Sequence, residues 1–213
     1  EPRGQIARAL ACGFIYQGEA SAHRAGGARG EPSAHMPPGA FVDFLQNHDQ
    51  IGNRAYGERL TVLAAPEATA AAHAVLLLAP SPPLLFMGEE WGSERPFPFF
   101  CDFQGDLAEA VRRGRAREFE AQFAGVSAAR PVPDPLADET FGSALLDWDS
   151  RDEEPFAARL ALTRDLLAVR RAEIVPRLAM LGSAARSARA DDRVLSAAWT
   201  AADGQALRLV ANL

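Results

Sequence analysis

The sequence contains no lysine, so all 22 of its basic side chains are arginines, and they are outnumbered by 28 acidic ones. The formal net charge is -6 at pH 7. Binding to a nucleic-acid backbone needs a concentrated positive field, so this balance argues against a nucleic-acid partner. The sequence also lacks a run of about 18 apolar residues, the length that a membrane-spanning helix requires. We therefore expect neither a nucleic acid nor a membrane as a partner.

Cysteine is scarce, and the common cofactor motifs are missing. Cys12 and Cys101 are too few for a disulfide framework, and two reduced cysteines suit a cytoplasmic protein. His23 and His35 have no second histidine or cysteine at metal-binding spacing. The sequence contains no Gly-rich phosphate or dinucleotide loop and no Gly-x-Ser-x-Gly turn. We therefore expect neither a metal nor another cofactor.

Both ends of the sequence predict a piece of a longer protein. It begins at Glu1 without an initiator methionine and without a charged-then-apolar leader segment. It ends in the apolar stretch Leu209–Leu213, which predicts a strand, whereas the ends of domains are usually polar and frayed. We therefore expect further residues on both sides.

Three consecutive segments predict a βαβ unit of a parallel sheet. The apolar run Phe41–Leu45 has the length of a buried strand. A helix predicted at Pro66–Leu78 begins with proline and stops before Pro80. A second apolar run, Pro83–Met87, follows. Because both runs end in polar residues, the unit carries polar side chains at one edge of the sheet.

The sequence further predicts two long helices, a loop and a hairpin. The hairpin strands flank an Asp-Gly pair, which favours a tight turn. The composition changes at Pro176, so we divide the chain into an α/β domain over 1–175 and the start of a separate β domain over 176–213. The predicted segments are helices at Asp106–Phe123 and Pro155–Arg171, a loop at Ala20–Gly39, and strands at Arg193–Thr200 and Gln205–Leu213.

Five adjacent polar residues, Gln46–Gln50, follow the first predicted strand. They include the imidazole of His48 and the carboxylate of Asp49 between amide side chains. Such groups are costly to place at a strand end unless they are hydrogen-bonded. Their mixture of donors and acceptors suits a ligand rich in hydroxyl groups. A network that caps the loop backbone fits the same residues equally well, so both interpretations stay open.

Two further groups of residues have a functional and a purely structural interpretation. Glu89 and Glu90 beside Trp91 suit a sugar, since carboxylates bind hydroxyl groups and an indole covers an apolar ring face. In the alternative, Trp91 closes the edge of the sheet and the glutamates face water. Arg54 and Glu58 are four residues apart, which is typical of a helical ion pair and less typical of a substrate-binding rim.

Two long strings of residues resemble one enzyme family. Phe44–Leu60, FLQNHDQIGNRAYGERL, and Pro83–Gly92, PLLFMGEEWG, are similar to the malto-oligosyltrehalose trehalohydrolases, a branch of the α-amylase family. The first six letters resemble the fourth conserved region of the α-amylase family, at the end of the seventh barrel strand. The similarity extends from about Ala7 over most of the chain.

The resemblance implies a fold, a reaction and roles for particular residues. The fold is α/β: the C-terminal part of a (β/α)8 TIM barrel over 1–175, then the start of a β-sandwich domain over 176–213. The reaction is a retaining hydrolysis of the α-1,4-glucosidic bond next to the trehalose end of maltooligosyl trehalose, which releases trehalose. Asp49 matches the carboxylate that stabilises the transition state, and His48 matches its hydroxyl-binding neighbour. The implied substrate-binding residues are Asn47, His48, Gln50, Gly52, Asn53, Arg54, Glu90 and Trp91.

The sequence departs from the family at the other two catalytic carboxylates. The family's nucleophile stands in a Gly-x-Arg-x-Asp context, with the acid/base glutamate on the next strand, and neither occurs here. Gly114–Glu118 ends in the wrong residue and lies in a predicted helix. We expect both carboxylates upstream of Glu1 and no activity from this chain alone. The alternatives are another α-amylase relative, such as a glycogen branching enzyme, and a non-catalytic carbohydrate-binding or scaffold protein; the extension Gly52–Arg59 favours the trehalohydrolases.

Overall fold

The computed structural model describes residues 2–122, 131–181, 185–191, 193–201 and 203–212. Helices and short strands alternate there with long irregular connections. The helices are α1 (Pro2–Cys12), α2 (His48–Gly52), α3 (Leu60–Leu63), α4 (Pro66–Leu78), α5 (Gly105–Gln122), α6 (Asp138–Ser143), α7 (Phe156–Val169) and α8 (Leu178–Leu181). The strands are β1 (Gln17–Ala20), β2 (Ala28–Gly30), β3 (Ala185–Ala190), β4 (Val194–Thr200) and β5 (Ala206–Asn212).

The described residues divide into two units, and the first carries the two antiparallel sheets. It comprises Glu1–Leu45, Glu67–Leu84 and Leu162–Leu213. Strands β1 and β2 pair with each other, and the second sheet has the order β3-β4-β5. Alternate residues of a strand face opposite sides, so one face of this second sheet is apolar and forms the core of the unit. The buried core residues are Leu181, Ala197, Trp199 and Leu209, with Leu10 of α1 and Val75 and Leu78 of α4 packed against them.

The predicted βαβ unit is present in part. Helix α4 has the bounds that the prolines predict. The two flanking runs meet in a single parallel bridge between Asp43 and Pro83, so their direction is parallel but neither forms a full strand. The N–H of Leu84 donates to the carbonyl of Asp43 at 2.8 Å. Pro82 and Pro83 have no N–H to donate, which explains why the ladder does not extend further toward Ser81.

Other predicted elements agree or differ for local reasons. The hairpin of β4 and β5 is confirmed, and helices α5 and α7 lie where the sequence predicts helices, although Phe123 and Leu213 are outside the described residues. Ala20–Gly39 is not a pure loop, because β2 lies within it and pairs with β1. Strand β3 is not predicted by the sequence: its Ala-Arg-Ser-Ala-Arg-Ala stretch has no β-branched or aromatic residue to indicate a strand. The domain boundary at 175/176 stays a prediction.

Arg170 binds the end of α4 and the residues that follow it, all within the first unit. Its guanidinium donates to the carbonyl oxygens of Leu77 at 3.0 Å and Ser81 at 2.8 Å, and also to that of Ala79. These carbonyls lie at and just beyond the C-terminal end of α4, where a helix leaves its own acceptors unpaired. Asp43 lies close enough to attract Arg170 and accepts a hydrogen bond from Ser81. Burial nevertheless raises the pKa of Asp43 above its ordinary value of 3.8.

This raised pKa predicts how Asp43 affects stability as the pH changes. The carboxyl of Asp43 ionises at a lower pH in the unfolded chain than in the folded one. Its contribution to the stability of the fold is therefore most favourable below pH 3.8, and this contribution falls as the pH rises through the higher folded pKa. The Asp43→Asn variant keeps an oxygen for Ser81 and cannot ionise. Its thermal midpoint, relative to that of the unsubstituted protein, is expected to rise from acidic to neutral pH. A constant or falling difference would contradict the burial of an ionised Asp43.

The second unit carries the polar segments that follow the two apolar runs. It comprises Gln46–Pro66 and Leu85–Ala161. It contains a chain of edge-to-face aromatic contacts that runs from Phe86 through Phe97 and Phe100 to the exposed Phe141, with ring centroids 5.1 to 5.4 Å apart. This is the favoured geometry of paired aromatic rings. The contacts fix the segment after Leu85, which includes Glu89–Trp91, against residues far along the chain.

Candidate functional site

Asn47 holds the backbone at the start of α2, and Gln46 holds the backbone at the start of α3. Asn47 is the N-cap of this helix, and its Oδ1 accepts a hydrogen bond from the N–H of Gln50 at 2.9 Å. This bond satisfies one of the N–H groups that a helix leaves free at its first turn. Gln46 is buried, and its Oε1 accepts from the N–H of Leu60 at 3.1 Å. For these two residues, the structure has the capping arrangement.

His48 and Asp49 instead face the solvent. Their side chains are 70% and 73% exposed, and the His48 Nε2 lies 3.3 Å from the Asp49 Oδ1. Ile51, two residues further on, is buried and holds the opposite side of α2 in the protein. An exposed carboxylate beside an exposed imidazole offers acceptors and a donor to a hydroxyl-rich ligand.

The residues that end α2 present a mixed surface. The side chains of Gln50, Asn53 and Arg54 are exposed, and the Asn53 N–H donates to the carbonyl of Asp49 at 3.0 Å. Gly52 is buried, so it is available through its backbone only. The segment from Asn53 to Arg59 is not helical, so Arg54 and Glu58 do not have the helical spacing that predicts an ion pair.

The second predicted group, Glu89–Trp91, forms one short 3-10 turn between two glycines with positive φ, Gly88 and Gly92. Glu89 is buried, and its Oε2 accepts from the N–H of Phe86 at 3.0 Å. Burial raises the pKa of Glu89, while that hydrogen bond and the guanidinium groups of Arg159 and Arg59 oppose the rise. Glu89 therefore stabilises its own loop.

The indole of Trp91 packs against a second tryptophan, Trp148, with the two ring planes tilted by 43°. Trp91 is only 4% exposed, and its ring centroid is 5.2 Å from that of Trp148. Trp148 is 56% exposed, so it presents the open aromatic surface here. The glutamates do not share one environment, since Glu90 is less buried than Glu89. Sequence reasoning does not single out Trp148, because it is far from the two recognised strings.

Arg59 is the other residue whose part the sequence does not predict. Its side chain is fully buried, at 0% exposure. The guanidinium donates to the carbonyl of Met87 at 2.8 Å and to that of Arg95, and it lies over the Phe86 ring at 5.1 Å. Burial lowers the pKa of Arg59, and the nearby carboxylates of Glu89 and Glu90 oppose this change. Arg59 thus ties the segment after α2 to both sides of the Glu89–Trp91 turn.

The part of the chain that the structure describes has neither a metal-binding cluster nor a membrane-spanning helix. No group of three or more histidine, cysteine, aspartate or glutamate side chains is arranged to hold a metal ion among the residues that the structure describes. Over the same residues, none of the helices combines the length and the apolar character needed to cross a membrane.

Comparisons with known proteins identify close relatives. The chain is 45% identical over 147 residues to the malto-oligosyltrehalose trehalohydrolase of Deinococcus radiodurans, which is 69% of this chain and 24% of that protein. It is 37% identical over 211 residues to the enzyme of the same name from Brevibacterium helvolum, covering 98% of this chain and 34% of that protein. The chain therefore spans about a quarter to a third of the length of these relatives.

A solved structure resembles the chain as a whole. The 1.4 Å crystal structure of a candidate α-amylase from Salmonella typhimurium matches with a TM-score of 0.90 and 49% sequence identity. The match covers 99% of this chain and 35% of that protein. No protein-family model matches the sequence.

Proposed function

Because this chain belongs to the malto-oligosyltrehalose trehalohydrolases of the α-amylase family, we propose that it forms part of a glycoside hydrolase acting on maltooligosyl trehalose. The enzyme cleaves the α-1,4-glucosidic bond next to the trehalose end and releases trehalose, with retention of configuration. The observation that carries this proposal for the chain itself is the exposed His48–Asp49 pair at the start of a capped helix.

In the proposed mechanism, Asp49 stabilises the transition state. A retaining reaction passes through a sugar ring with oxocarbenium-like positive character. A fixed anion beside that ring interacts more strongly with the transition state than with the neutral ground state, so it lowers the barrier. His48 donates to a hydroxyl of the same ring, and its contact with Asp49 orients both groups.

The proposed binding set separates into exposed and supporting residues. Gln50, Asn53, Arg54 and the half-buried Glu90 contact hydroxyl groups of the glucan. Asn47, Gly52 and Trp91 act indirectly in this proposal. Asn47 caps α2, the buried Gly52 offers only its backbone groups, and the ring of Trp91 packs against that of Trp148.

The proposal also covers the fold and the location of the enzyme. Residues 1–175 form the C-terminal part of the (β/α)8 barrel, and 176–213 begin a β-sandwich domain. The parallel Asp43–Pro83 bridge and the antiparallel β3-β4-β5 sheet support this division. The nucleophile and the acid/base belong to the part of the relatives' length that this chain does not span. The two free cysteines, Cys12 and Cys101, support a cytoplasmic location.

Residues 1–213 alone are expected to release no trehalose from maltooligosyl trehalose, because they contain one of the three catalytic carboxylates. The full-length enzyme, meaning this chain together with the part of the relatives' length that it does not span, is expected to release trehalose. Product analysis by chromatography distinguishes the two. Turnover by the pure 213-residue chain would contradict the assignment of the nucleophile and the acid/base to residues outside it.

The same assay decides between this proposal and its alternatives. Transfer of the glucan to a new branch point, without free trehalose, would identify a branching enzyme. Binding of the glucan without turnover by the full-length protein would identify a non-catalytic carbohydrate-binding protein. Either result would overturn the proposed function.

A further inference from the structure

Arg115 differs from the other arginines of helix α5. Its side chain is only 12% exposed, whereas Arg112, Arg113 and Arg117 on the same helix are exposed. Its Nη2 donates to the carbonyl of Gly52 at 2.8 Å and lies 3.4 Å from that of Arg54. Arg115 thus contacts a segment more than 60 residues away, at the C-terminal end of α2.

The surroundings of Arg115 hold its guanidinium in one orientation. The group lies over the rings of Phe99 at 5.2 Å and Phe119 at 4.6 Å. Its Nη1 is 3.3 Å from the Glu118 carboxylate. A planar guanidinium between aromatic rings presents its N–H groups in fixed directions, which a flexible lysine ammonium does not.

Helix α2 needs support at both ends. It has five residues, whereas isolated helices shorter than about 12 residues are marginal in water. The Asn47 side chain pairs a free N–H at the first turn, and Arg115 pairs the Gly52 carbonyl at the last. The exposed His48 and Asp49 lie between these two supports, so the position of their side chains follows from the backbone that the supports hold.

We propose that Arg115 is a positioning residue for the His48–Asp49 pair, acting through its hydrogen bond to the Gly52 carbonyl at the C-terminal end of α2 and its contact with the Arg54 carbonyl just beyond the helix. This inference rests on the proposed function. The loss of Arg115 relaxes the last turn of α2 and displaces the Asp49 carboxylate from the sugar ring. Since the affected contact is made mainly in the transition state, the loss appears in kcat rather than in KM.

The test measures kcat and KM for trehalose release by the full-length enzyme. Arg115→Ala is expected to lower kcat by about 10- to 100-fold, the effect of misplacing a catalytic group by about an ångström. KM is expected to stay within about threefold of the parent value. Arg115→Lys is expected to recover part of the loss, since it restores one donor without the fixed fork. Arg113→Ala, an exposed arginine on the same helix, serves as the matched control and is expected to behave as the parent enzyme.

A double substitution separates positioning from a general loss of structure. If Arg115 acts through Asp49, adding Arg115→Ala to Asp49→Asn is expected to lower kcat by less than about threefold further. The full single-variant loss in that background would overturn the inference, and so would a parent-like kcat for Arg115→Ala. Thermal midpoints identify misfolded variants. If Arg115→Ala does not fold, the same comparison with Arg115→Lys decides.

The outcomes also distinguish this inference from the proposed function. An unsubstituted full-length enzyme that releases no trehalose would overturn both. An active parent enzyme that is indifferent to Arg115 would overturn only the positioning role.

Discussion

Replacing Asp49 by asparagine in the full-length enzyme is expected to lower kcat for trehalose release by at least about 10²-fold, the usual effect of losing one transition-state contact. The substitution keeps the size of the side chain and removes only its charge. Because this side chain is 73% exposed, the fold does not depend on it, and the thermal midpoint is expected to change little.

The control for Asp49 is a second exposed aspartate in the first turn of a helix, Asp106 of α5. Asp106→Asn makes the same chemical change at the same kind of position and is expected to leave kcat at the parent value. A parent-like kcat for Asp49→Asn would remove this carboxylate from the mechanism. Equal losses in both variants would point to a general effect of charge.

The largest expected effect on stability belongs to Arg59. Replacing it by methionine preserves much of the side-chain volume but removes the donors to the carbonyls of Met87 and Arg95. It also leaves the buried Glu89 without one of its opposing positive charges. Breaking a buried charged contact from one side typically costs about 3–5 kcal/mol. We therefore expect Arg59→Met to lower the free energy of unfolding by roughly that amount, measured by urea or thermal unfolding.

Arg95→Met is the matched control for Arg59→Met. The Arg95 side chain is 51% exposed and lies 3.5 Å from the Asp147 carboxylate. Exposed ion pairs of this kind contribute about 0–1 kcal/mol, so the control is expected to have a small effect. If the two variants were equally stable, the buried contacts of Arg59 would be unimportant for the fold.

For the polar segment Gln46–Gln50, the sequence predicts a cluster of hydrogen-bonding side chains but not the role of each one. Its composition is compatible with a capping network and with a ligand site. The structure divides the segment: Asn47 and Gln46 hold backbone N–H groups, while His48 and Asp49 are exposed. Composition cannot make this division, because all four side chains carry hydrogen-bonding groups. The division depends on which of them the backbone turns inward.

The acidic turn after the second run is a comparable case. Its sequence allows Trp91 either to cover a sugar or to close the edge of the sheet. In the structure Trp91 is buried against Trp148, and Glu89 accepts a hydrogen bond from the backbone of its own loop. The exposed tryptophan is thus 57 positions further along the chain. No local pattern connects the two rings, because they meet only when Leu85–Ala161 folds into one unit.

Elements determined by neighbouring residues follow from the sequence alone. Proline at each end sets the bounds of α4, and an Asp-Gly pair between alternating strands predicts the hairpin of β4 and β5. The burial of Arg59 and the contact of Arg115 with Gly52 were decided only by the tertiary structure. Each joins residues dozens of positions apart, so its energy exists only after the intervening chain has folded. From the sequence alone, an arginine can be either exposed to solvent or buried as a structural support. Which of the two it becomes depends on the carbonyl groups that the folded backbone brings within hydrogen-bond distance of its guanidinium.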